Sequence, residues 1–574
     1  MTASPDVPAP LPSPAATRGL DWRALYSDTP LSPAETETWL AALRGPHPER
    51  AAQVLGRRLP ASQLQPTFER VPPQVLTDYL RGIAGRKAGT TPEMPVSLLG
   101  HLGSSDTALE VATAMQRNRW PVTLTHELVV PLLVSSSDRD QLAGARLLAL
   151  AATPTPALMH LAALRPHAAA VAARNLVARP TFRATELRPL AAMWAERALA
   201  RPRDWLPPLL ALAQATPAAR DDLQRELIAA LGPLQTLSLG DDEVDARFRC
   251  QIAQLADIVS GGASIHGTPT TPPWLGLQCE AQLWGRRAPS PAGASALSAL
   301  IANPSSNASV IESVIESLKE YPAGLARPVL APLLASTDPG VLAALLEHYV
   351  LHVQQFRALA QEQQRALIAR PFEIEEAVAM EARLEAISLA MSMGLPPPGE
   401  PSAVRAVVQR RRPDAGVAPA ETEAPRPPRH GTLVIETSAG TLVVRPDPEA
   451  APRALETVIA AANRGAYRGT RFHRVIAGFV AQGGDPRGDG YGGATAITPT
   501  EISGHRFVRG SVGMALAGLD TGGMQFFIVT ADAPHLDGRY PWLGEVVQGL
   551  THAERLMPGD RILELRWVPD ENER

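Results

Sequence analysis

The chain has 574 residues, a formal net charge of −4 at pH 7, 20% charged residues and 45% hydrophobic residues. This mixed composition predicts a soluble globular protein and gives no reason to expect DNA, RNA or an acidic membrane as a partner. No stretch approaches the roughly 18 apolar residues that a membrane-spanning helix requires, so we expect no membrane span.

The residues and motifs that the sequence lacks exclude further kinds of binding site. Lysine occurs only at Lys87 and Lys319, which excludes a phosphate-binding P-loop because that loop requires a Gly-Lys-Ser/Thr sequence. The sequence contains no H-E-x-x-H and no C-x-x-C motif, and therefore no metal site is predicted. The scarcity of lysine beside abundant Arg, Ala and Pro indicates a GC-rich bacterial genome.

A long helical array follows a short N-terminal tail. Residues 1–17 are rich in Pro and Ala, which predicts a flexible tail. In residues 18–394, Ala/Leu/Arg-rich segments with helical spacing alternate with short Pro, Gly, Ser and Asp breaks. The breaks that end at Asp106, Asp138 and Asp338 each supply an Asp or Ser as N-cap for the next helix.

Helix, capped turn and helix in series are typical of an α-solenoid, in which each unit buries its apolar face against its neighbours. The pattern resembles degenerate HEAT repeats and predicts an unidentified protein partner on these repeats. An all-helical domain without superhelical order is the alternative.

The cysteines and the compartment leave alternatives open. Cys250 and Cys279 are the only cysteines and lie on neighbouring predicted helices. They would pair in an oxidising compartment, whereas in the cytoplasm they would remain packed thiols. If Met1 is the native start, the lack of an apolar signal core predicts a cytoplasmic protein. A signal that was removed or missed would instead place the protein in the periplasm or on a lipoprotein anchor.

The composition changes after residue 394. Residues 395–429 are Pro-rich with mixed charge and few large apolar side chains, which predicts an extended linker in which Ala403 to Arg410 can form a short helix. Residues 430–569 then open with two aliphatic runs, Gly431 to Val444, around a Ser-Ala-Gly turn, which predicts a hairpin. Pro448 to Arg464 has apolar residues three and four apart, as in an amphipathic helix. The short apolar runs that follow, separated by glycines, predict a closed or nearly closed antiparallel β structure.

Three motifs in this last region carry a family resemblance. They are FHRVIAGFVAQGGD from Phe472 to Asp485, GSVGMALAGLDTGGMQFFIVT from Gly510 to Thr530, and PHLDGRY from Pro534 to Tyr540. The region resembles the cyclophilin family of peptidyl-prolyl cis/trans isomerases. The resemblance implies an antiparallel β-barrel with capping helices, Pro-containing polypeptide clients and no cofactor. We therefore expect a multidomain protein, an all-α solenoid followed by a cyclophilin-like barrel.

The resemblance also assigns roles to single residues. Arg474 matches the arginine that donates to the prolyl nitrogen, and Gln482 matches the glutamine that orients this arginine and the substrate carbonyl. His535 stands where cyclosporin-sensitive members have tryptophan, which implies weak cyclosporin binding, and Tyr540 replaces a pocket histidine. The implied substrate-binding residues are Phe479, Val480, Ala515, Leu516, Gln525, Phe527, His535, Leu536 and Tyr540.

Two functional hypotheses remain at this point. The first is a prolyl isomerase that assists protein folding, with the helical repeats as a platform for clients or a partner. The second is a non-catalytic scaffold of a multiprotein assembly that only grips Pro-containing segments. The intact arginine motif and both glutamines favour the enzyme.

Overall fold

A computed structural model gives the conformation of most of the chain. It describes residues 28–86, 108–118, 124, 126–150, 159–177, 188–213, 227–229, 231–237, 243–260, 268–269, 271–411, 430–492 and 497–570. The predicted tail, the break at Asp106 and residues 412–429 of the predicted linker lie outside this part of the chain. The described part of that linker is not wholly extended, because Pro401–Arg411 is a helix that buries Ala406 and Val407.

The N-terminal region is all-helical, as the sequence predicts. Its helices are α1 Pro33–Ala42, α2 Pro48–Arg58, α3 Ala61–Phe68, α4 Leu76–Ala84, α5 Ala108–Asn118, α6 His126–Val134, α7 Asp138–Leu147, α8 Pro166–Val177, α9 Arg188–Ala200, α10 Pro202–Ala213, α11 Glu243–Val259, α12 Pro273–Arg286, α13 Pro291–Ala302, α14 Ala308–Ser317, α15 Ala323–Leu330, α16 Pro339–Leu351, α17 Val353–Arg357, α18 Gln361–Ala369, α19 Glu376–Ser392 and α20 Pro401–Arg411. Within the described ranges, no helix is long and apolar enough to span a membrane.

Side-chain caps start several of these helices at the breaks in the sequence. Ser137 accepts a hydrogen bond from the backbone of Asp140 at the start of α7. Asp338 accepts from Gly340 and Val341, at 2.9 and 3.0 Å, at the start of α16. These oxygens satisfy backbone N–H groups that have no partner inside the helix, which fixes where each helix begins.

The helices pack mainly on near neighbours along the chain. Helix α2 packs on α4, α5 on α7, α7 on α8, α14 on α16 and α16 on α19. One apolar core runs from Leu31 to Val259, and a second runs from Ala281 to Leu389. The first core also includes Ala531 and Met557 of the C-terminal domain, so the two domains share buried apolar surface.

The two cysteines, whose pairing the sequence leaves open, are joined in the structure. Cys250 of α11 and Cys279 of α12 form a disulfide with their Cα atoms 5.7 Å apart. Both residues are buried, and Ala253 and Leu283 pack beside them. This Cα separation lies in the range that a disulfide requires, because the two helices present the cysteines at matching heights.

We expect the disulfide to stabilise the helical region. Its loop spans 29 residues, for which chain entropy gives roughly 3 to 4 kcal/mol of unfolding free energy. Denaturant unfolding should therefore shift to lower denaturant concentration when the wild type is reduced. A Cys250→Ala/Cys279→Ala variant is the control, since reductant should leave its transition unchanged. Identical transitions for the oxidised and reduced wild type would contradict the prediction.

The C-terminal domain is an antiparallel β-barrel. Its strands are β1 Gly431–Thr437, β2 Gly440–Pro446, β3 Arg474–Ile476, β4 Val480–Gly483, β5 Ser511–Met514, β6 Phe526–Val529, β7 Trp542–Gln548 and β8 Ile562–Pro569, and its helices are α21 Pro452–Asn463 and α22 Leu550–Glu554. The strand order is β3-β4-β6-β5-β7-β2-β1-β8. Backbone hydrogen bonds between residues 469–472 and 559–562 bring the two edges together, which leaves few unpaired strand edges.

Ion pairs connect the helical region to this barrel. They include Arg539–Asp28, Arg506–Asp78, Arg81–Asp537, Arg509–Asp138, Arg555–Asp204, Arg471–Glu243, Arg487–Asp338 and Arg405–Asp520. The partners in the helical region extend from Asp28 to Arg405. The helical region thus contacts the barrel along most of its own length.

Candidate active site

Arg474 begins a short strand at the edge of the barrel. It lies directly opposite Gln482 in the antiparallel pair of β3 and β4, so both side chains project from the same face. Its Nη1 donates to Oε1 of Gln482 at 3.4 Å, and its guanidinium carbon lies 5.7 Å from the centre of the Phe479 ring. Because the Arg474 side chain is exposed, its remaining N–H groups can reach a bound peptide.

Two glutamine side chains extend the hydrogen bonding of Arg474 across the sheet. Nε2 of Gln482 donates to Oε1 of Gln525 at 3.0 Å. Nε2 of Gln525 donates to the backbone carbonyls of Gly490 and Gly492, at 3.0 and 2.7 Å. Each amide therefore has its orientation fixed by the next group, and the series ends on backbone atoms.

Alternation along β6 separates the barrel core from a second apolar surface. Phe526 lies in the barrel core, where its ring meets those of Tyr467 and Phe472 edge-on. Phe527 points to the opposite face, as adjacent residues of a strand must. Its ring centroid lies 5.5 Å from that of Phe507 and 5.6 Å from that of Tyr540.

The apolar surface around Phe527 forms the candidate proline pocket. Its buried members include Val480, Phe507, Phe527, Leu536 and Trp542, and Phe479, Ala515 and Tyr540 pack against them. Gly513 permits this packing, because a Cβ there would lie 2.5 Å from the Phe527 ring. Sequence analysis did not identify Phe507 and Trp542, since isolated aromatic residues are more often part of a core than of a pocket.

His535 and Phe479 form the rim of this pocket. Their rings are stacked with centroids 5.1 Å apart and an interplanar angle of 25°. Leu536, the next residue after His535, is 6% exposed and faces the pocket cluster. The imidazole of His535 therefore takes the place on the rim at which the family resemblance would put an indole.

A small cavity lies beside the glutamines. It has a volume of about 80 Å³, and Gln482, Ala515, Leu516 and Gln525 are among its lining residues. The backbone N–H of Ala515 donates to the carbonyl of Gln525 at 2.9 Å, which fixes this segment against β6. Met380 and Glu381 of α19 also line the cavity. Nothing in the sequence points to them, because they come from the helical region.

The positive charge of the site comes from Arg474, because the adjacent His473 is neutral. Burial lowers the pKa of His473 to about 4, and the neighbouring charge of Arg474 adds to this decrease, so His473 is neutral at pH 7. In the described part of the chain, no group of His, Cys, Asp and Glu could hold a metal ion. The site offers a cationic donor beside an apolar pocket.

All the site residues that the sequence suggested lie in this one area. The structure brings Arg474, Gln482 and Gln525 into one hydrogen-bonded series and groups the pocket residues next to it. Leu516 alone packs against the barrel core as well as lining the small cavity.

Phe527→Ala should mainly weaken binding of a Pro-containing peptide. The ring is 5% exposed, and its removal takes away apolar contact with the proline in the planar and the twisted amide alike. We expect KM to rise roughly ten-fold with a small change in kcat. Phe527→Leu, which keeps an apolar side chain, should retain most of the affinity. A change confined to kcat would contradict this assignment.

Comparisons with known proteins agree with this geometry. Residues 432–564 match the family model for cyclophilin type peptidyl-prolyl cis-trans isomerase/CLD. A peptidyl-prolyl cis-trans isomerase B of Bacillus subtilis is 47% identical over 121 residues, which cover 21% of this chain and 85% of the relative. A peptidyl-prolyl cis-trans isomerase of Helicobacter pylori is 42% identical over 132 residues, 22% of this chain and 81% of the relative. The human peptidyl-prolyl cis-trans isomerase-like 1 is 39% identical over 129 residues, 22% of this chain and 78% of the relative.

The fold and the site define a prolyl-isomerase type of domain at the C-terminus. Because the matched segment covers most of each relative at these identities, the chain belongs to the cyclophilin family through this domain.

Proposed function

We propose that the protein catalyses peptidyl-prolyl cis/trans isomerisation in Pro-containing polypeptides and thereby assists protein folding. The observation that carries this proposal is the exposed guanidinium of Arg474 at the edge of the pocket formed around Phe527. The domain's family membership supports the same reaction.

The reaction requires rotation about one bond and no bond cleavage. An X-Pro amide resists rotation with a barrier of about 18 to 20 kcal/mol, because the nitrogen lone pair is delocalised into the carbonyl. When the bond twists, the nitrogen becomes pyramidal and basic. A donor aimed at that nitrogen stabilises the twisted state more than the planar one, which is the condition for acceleration.

Arg474 supplies this donor, while Gln482 fixes its orientation. An acceleration of about five decades would need on the order of 7 kcal/mol of transition-state stabilisation. One charged hydrogen bond nets roughly 1.5 to 3 kcal/mol, so positioning and exclusion of water must supply the rest. Burial of the proline ring against Phe527 tightens binding of the planar and twisted states equally, and therefore contributes to affinity.

A protease-coupled isomerisation assay of the full chain with an Ala-Pro peptide tests the proposal. We expect the cis-to-trans rate to rise in proportion to the protein concentration. The non-catalytic scaffold predicts that the peptide binds, as seen by fluorescence or calorimetry, while the uncatalysed rate stays unchanged. That result would rule out the enzyme.

The helical region is proposed to act as a platform for clients or for a partner protein. Its surfaces in contact with the barrel are already occupied, so such binding would use the remaining ones. A Phe527→Ala full chain that binds an unfolded polypeptide as tightly as the wild type would support the platform, whereas loss of that binding together with the isomerase pocket would contradict it.

We also propose that the protein works in an oxidising compartment. The Cys250–Cys279 disulfide supports this location, because such bonds rarely persist in a reducing cytosol. Cells lysed in a maleimide-polyethylene glycol reagent should contain protein that is modified only after reduction. Modification of both cysteines without reduction would place the protein in a reducing compartment.

A further inference from the structure

Residues 485–492 of the catalytic domain form a turn that contacts the helical region. Arg487 in this turn donates to both carboxylate oxygens of Asp338, at 2.9 and 3.1 Å. Asp338 is also the N-cap of α16, and Glu312 of α14 lies 3.4 Å from the same guanidinium. Two helices of the helical region thus converge on one arginine of the catalytic domain.

Tyr491 attaches the same turn to the helical region through apolar contact. Its ring packs against the second helical core, which is formed by residues of α12 to α19. Burial, together with nearby acidic residues such as Glu347, raises the pKa of its hydroxyl well above the usual value. The ring is therefore held in the helical region as a neutral group.

The turn itself is tightly organised. The buried carboxylate of Asp485 accepts hydrogen bonds from the backbone of Arg487, Asp489 and Gly490, at 2.9, 3.0 and 2.5 Å. Asp489 in turn accepts from Arg487 Nε and from the backbone of Tyr491, both at 2.9 Å. A shift at Arg487 or Tyr491 therefore moves the backbone at Gly490.

The series of hydrogen bonds that runs from Arg474 through Gln482 and Gln525 ends at this backbone. The carbonyls of Gly490 and Gly492 accept both hydrogen bonds that Gln525 Nε2 donates. Gln525 accepts from Gln482, and Gln482 accepts from Arg474. A continuous set of contacts therefore runs from α16 to the guanidinium of Arg474.

We propose that the helical region positions the catalytic arginine through this set of contacts, with Asp338 and Arg487 as positioning residues. The inference rests on the proposed isomerase function and goes beyond it, because it makes the helical region part of the catalytic apparatus. Asp338 and Arg487 act through Gly490, Gly492 and the two glutamines rather than by touching the substrate.

Asp338 carries the charge that is best suited to a test. Burial would raise its pKa, but hydrogen bonds from Arg487 and Val341 outweigh that effect and lower the pKa. Glu312 differs, since burial and the neighbouring Asp489 raise its pKa. The lowered pKa of Asp338 keeps its carboxylate charged at pH 7.

The variant Asp338→Asn removes the charge and keeps the oxygen that caps α16. In the full chain we expect kcat/KM to fall roughly three- to ten-fold, mainly through kcat, because networks of this kind modulate distant sites by modest amounts. Asp204→Asn is the matched control: it removes one carboxylate charge from the contact with Arg555, at 3.5 Å. In the described part of the chain, the hydrogen bonds of Gln482 and Gln525 involve neither of these two residues. The activity of this control should stay unchanged.

A second readout separates positioning from mere attachment of the domains. In a Gln525→Ala background, Asp338→Asn should have no further effect on kcat, because the connection is already broken. Selective ¹⁵N-glutamine labelling should show a shift of the Gln525 side-chain amide in Asp338→Asn but not in Asp204→Asn.

The outcomes distinguish this inference from the proposed function. An inactive wild type would overturn the isomerase assignment, while the amide signal would still report whether Asp338 reaches Gln525. An active wild type with unchanged kcat in Asp338→Asn would overturn the inference. So would a loss of kcat that persists in the Gln525→Ala background.

Discussion

Replacing Arg474 with alanine is expected to lower kcat/KM by roughly ten- to a hundred-fold. The guanidinium is the cationic donor at the pocket edge, and a charged hydrogen bond nets about 1.5 to 3 kcal/mol. Because the prolyl nitrogen accepts a hydrogen bond only when the amide twists, the loss should appear in kcat rather than in KM. Single-turnover isomerisation of an Ala-Pro peptide measures both constants.

Arg474→Lys is the conservative control for this prediction. Lysine keeps the charge but lacks the planar set of donors that can bind Gln482 and substrate together, so we expect intermediate activity. Melting temperatures should match the wild type, because the Arg474 side chain is exposed. If Arg474→Ala changed KM alone, as Phe527→Ala is expected to do, the roles of the two residues would be reversed.

Replacing Arg81 with methionine is expected to cost the largest amount of stability, about 3 to 5 kcal/mol, because it leaves a buried carboxylate without its partner. Arg81 is 1% exposed and donates to both oxygens of Asp537 in the catalytic domain. It also donates to the carbonyl of Phe507 at 2.9 Å. Thermal melting and denaturant unfolding of the full chain measure the loss.

The same substitution should reach the proline pocket. Asp537 follows Leu536, and it also accepts from Gln53 at 2.7 Å and from the backbone of Phe507 at 2.8 Å. Loss of Arg81 loosens this segment, so KM for an Ala-Pro peptide should rise.

Arg555→Gln is the control for the Arg81 prediction. Arg555 is largely exposed where it meets Asp204, and exposed ion pairs contribute about 0 to 1 kcal/mol. Equal destabilisation by Arg81→Met and Arg555→Gln would show that burial of Arg81 has no energetic consequence.

Much of the catalytic domain follows from local patterns. The aliphatic runs around Gly440 became the hairpin of β1 and β2, and the spacing of apolar residues after Pro448 became α21, from Pro452 to Asn463. The site residues come from three motifs between Phe472 and Tyr540. These motifs are separated by short stretches of chain, so the barrel brings together segments that are already near each other in the sequence. Helices begin at the Ser and Asp breaks because caps act within one turn.

The sequence by itself indicated the all-helical region and the antiparallel β structure, because spacing and caps act locally, and the resemblance of its motifs to a known family suggested many of the candidate site residues. Only the tertiary structure decided how the two domains meet. Arg81 and Asp537 are 456 positions apart, and in the sequence each resembles an ordinary solvated charge. Cys250 and Cys279 pair because two helices place them at equal heights, with Cα atoms 5.7 Å apart. Such contacts depend on how whole helices pack in three dimensions, which the spacing of residues within one segment does not determine.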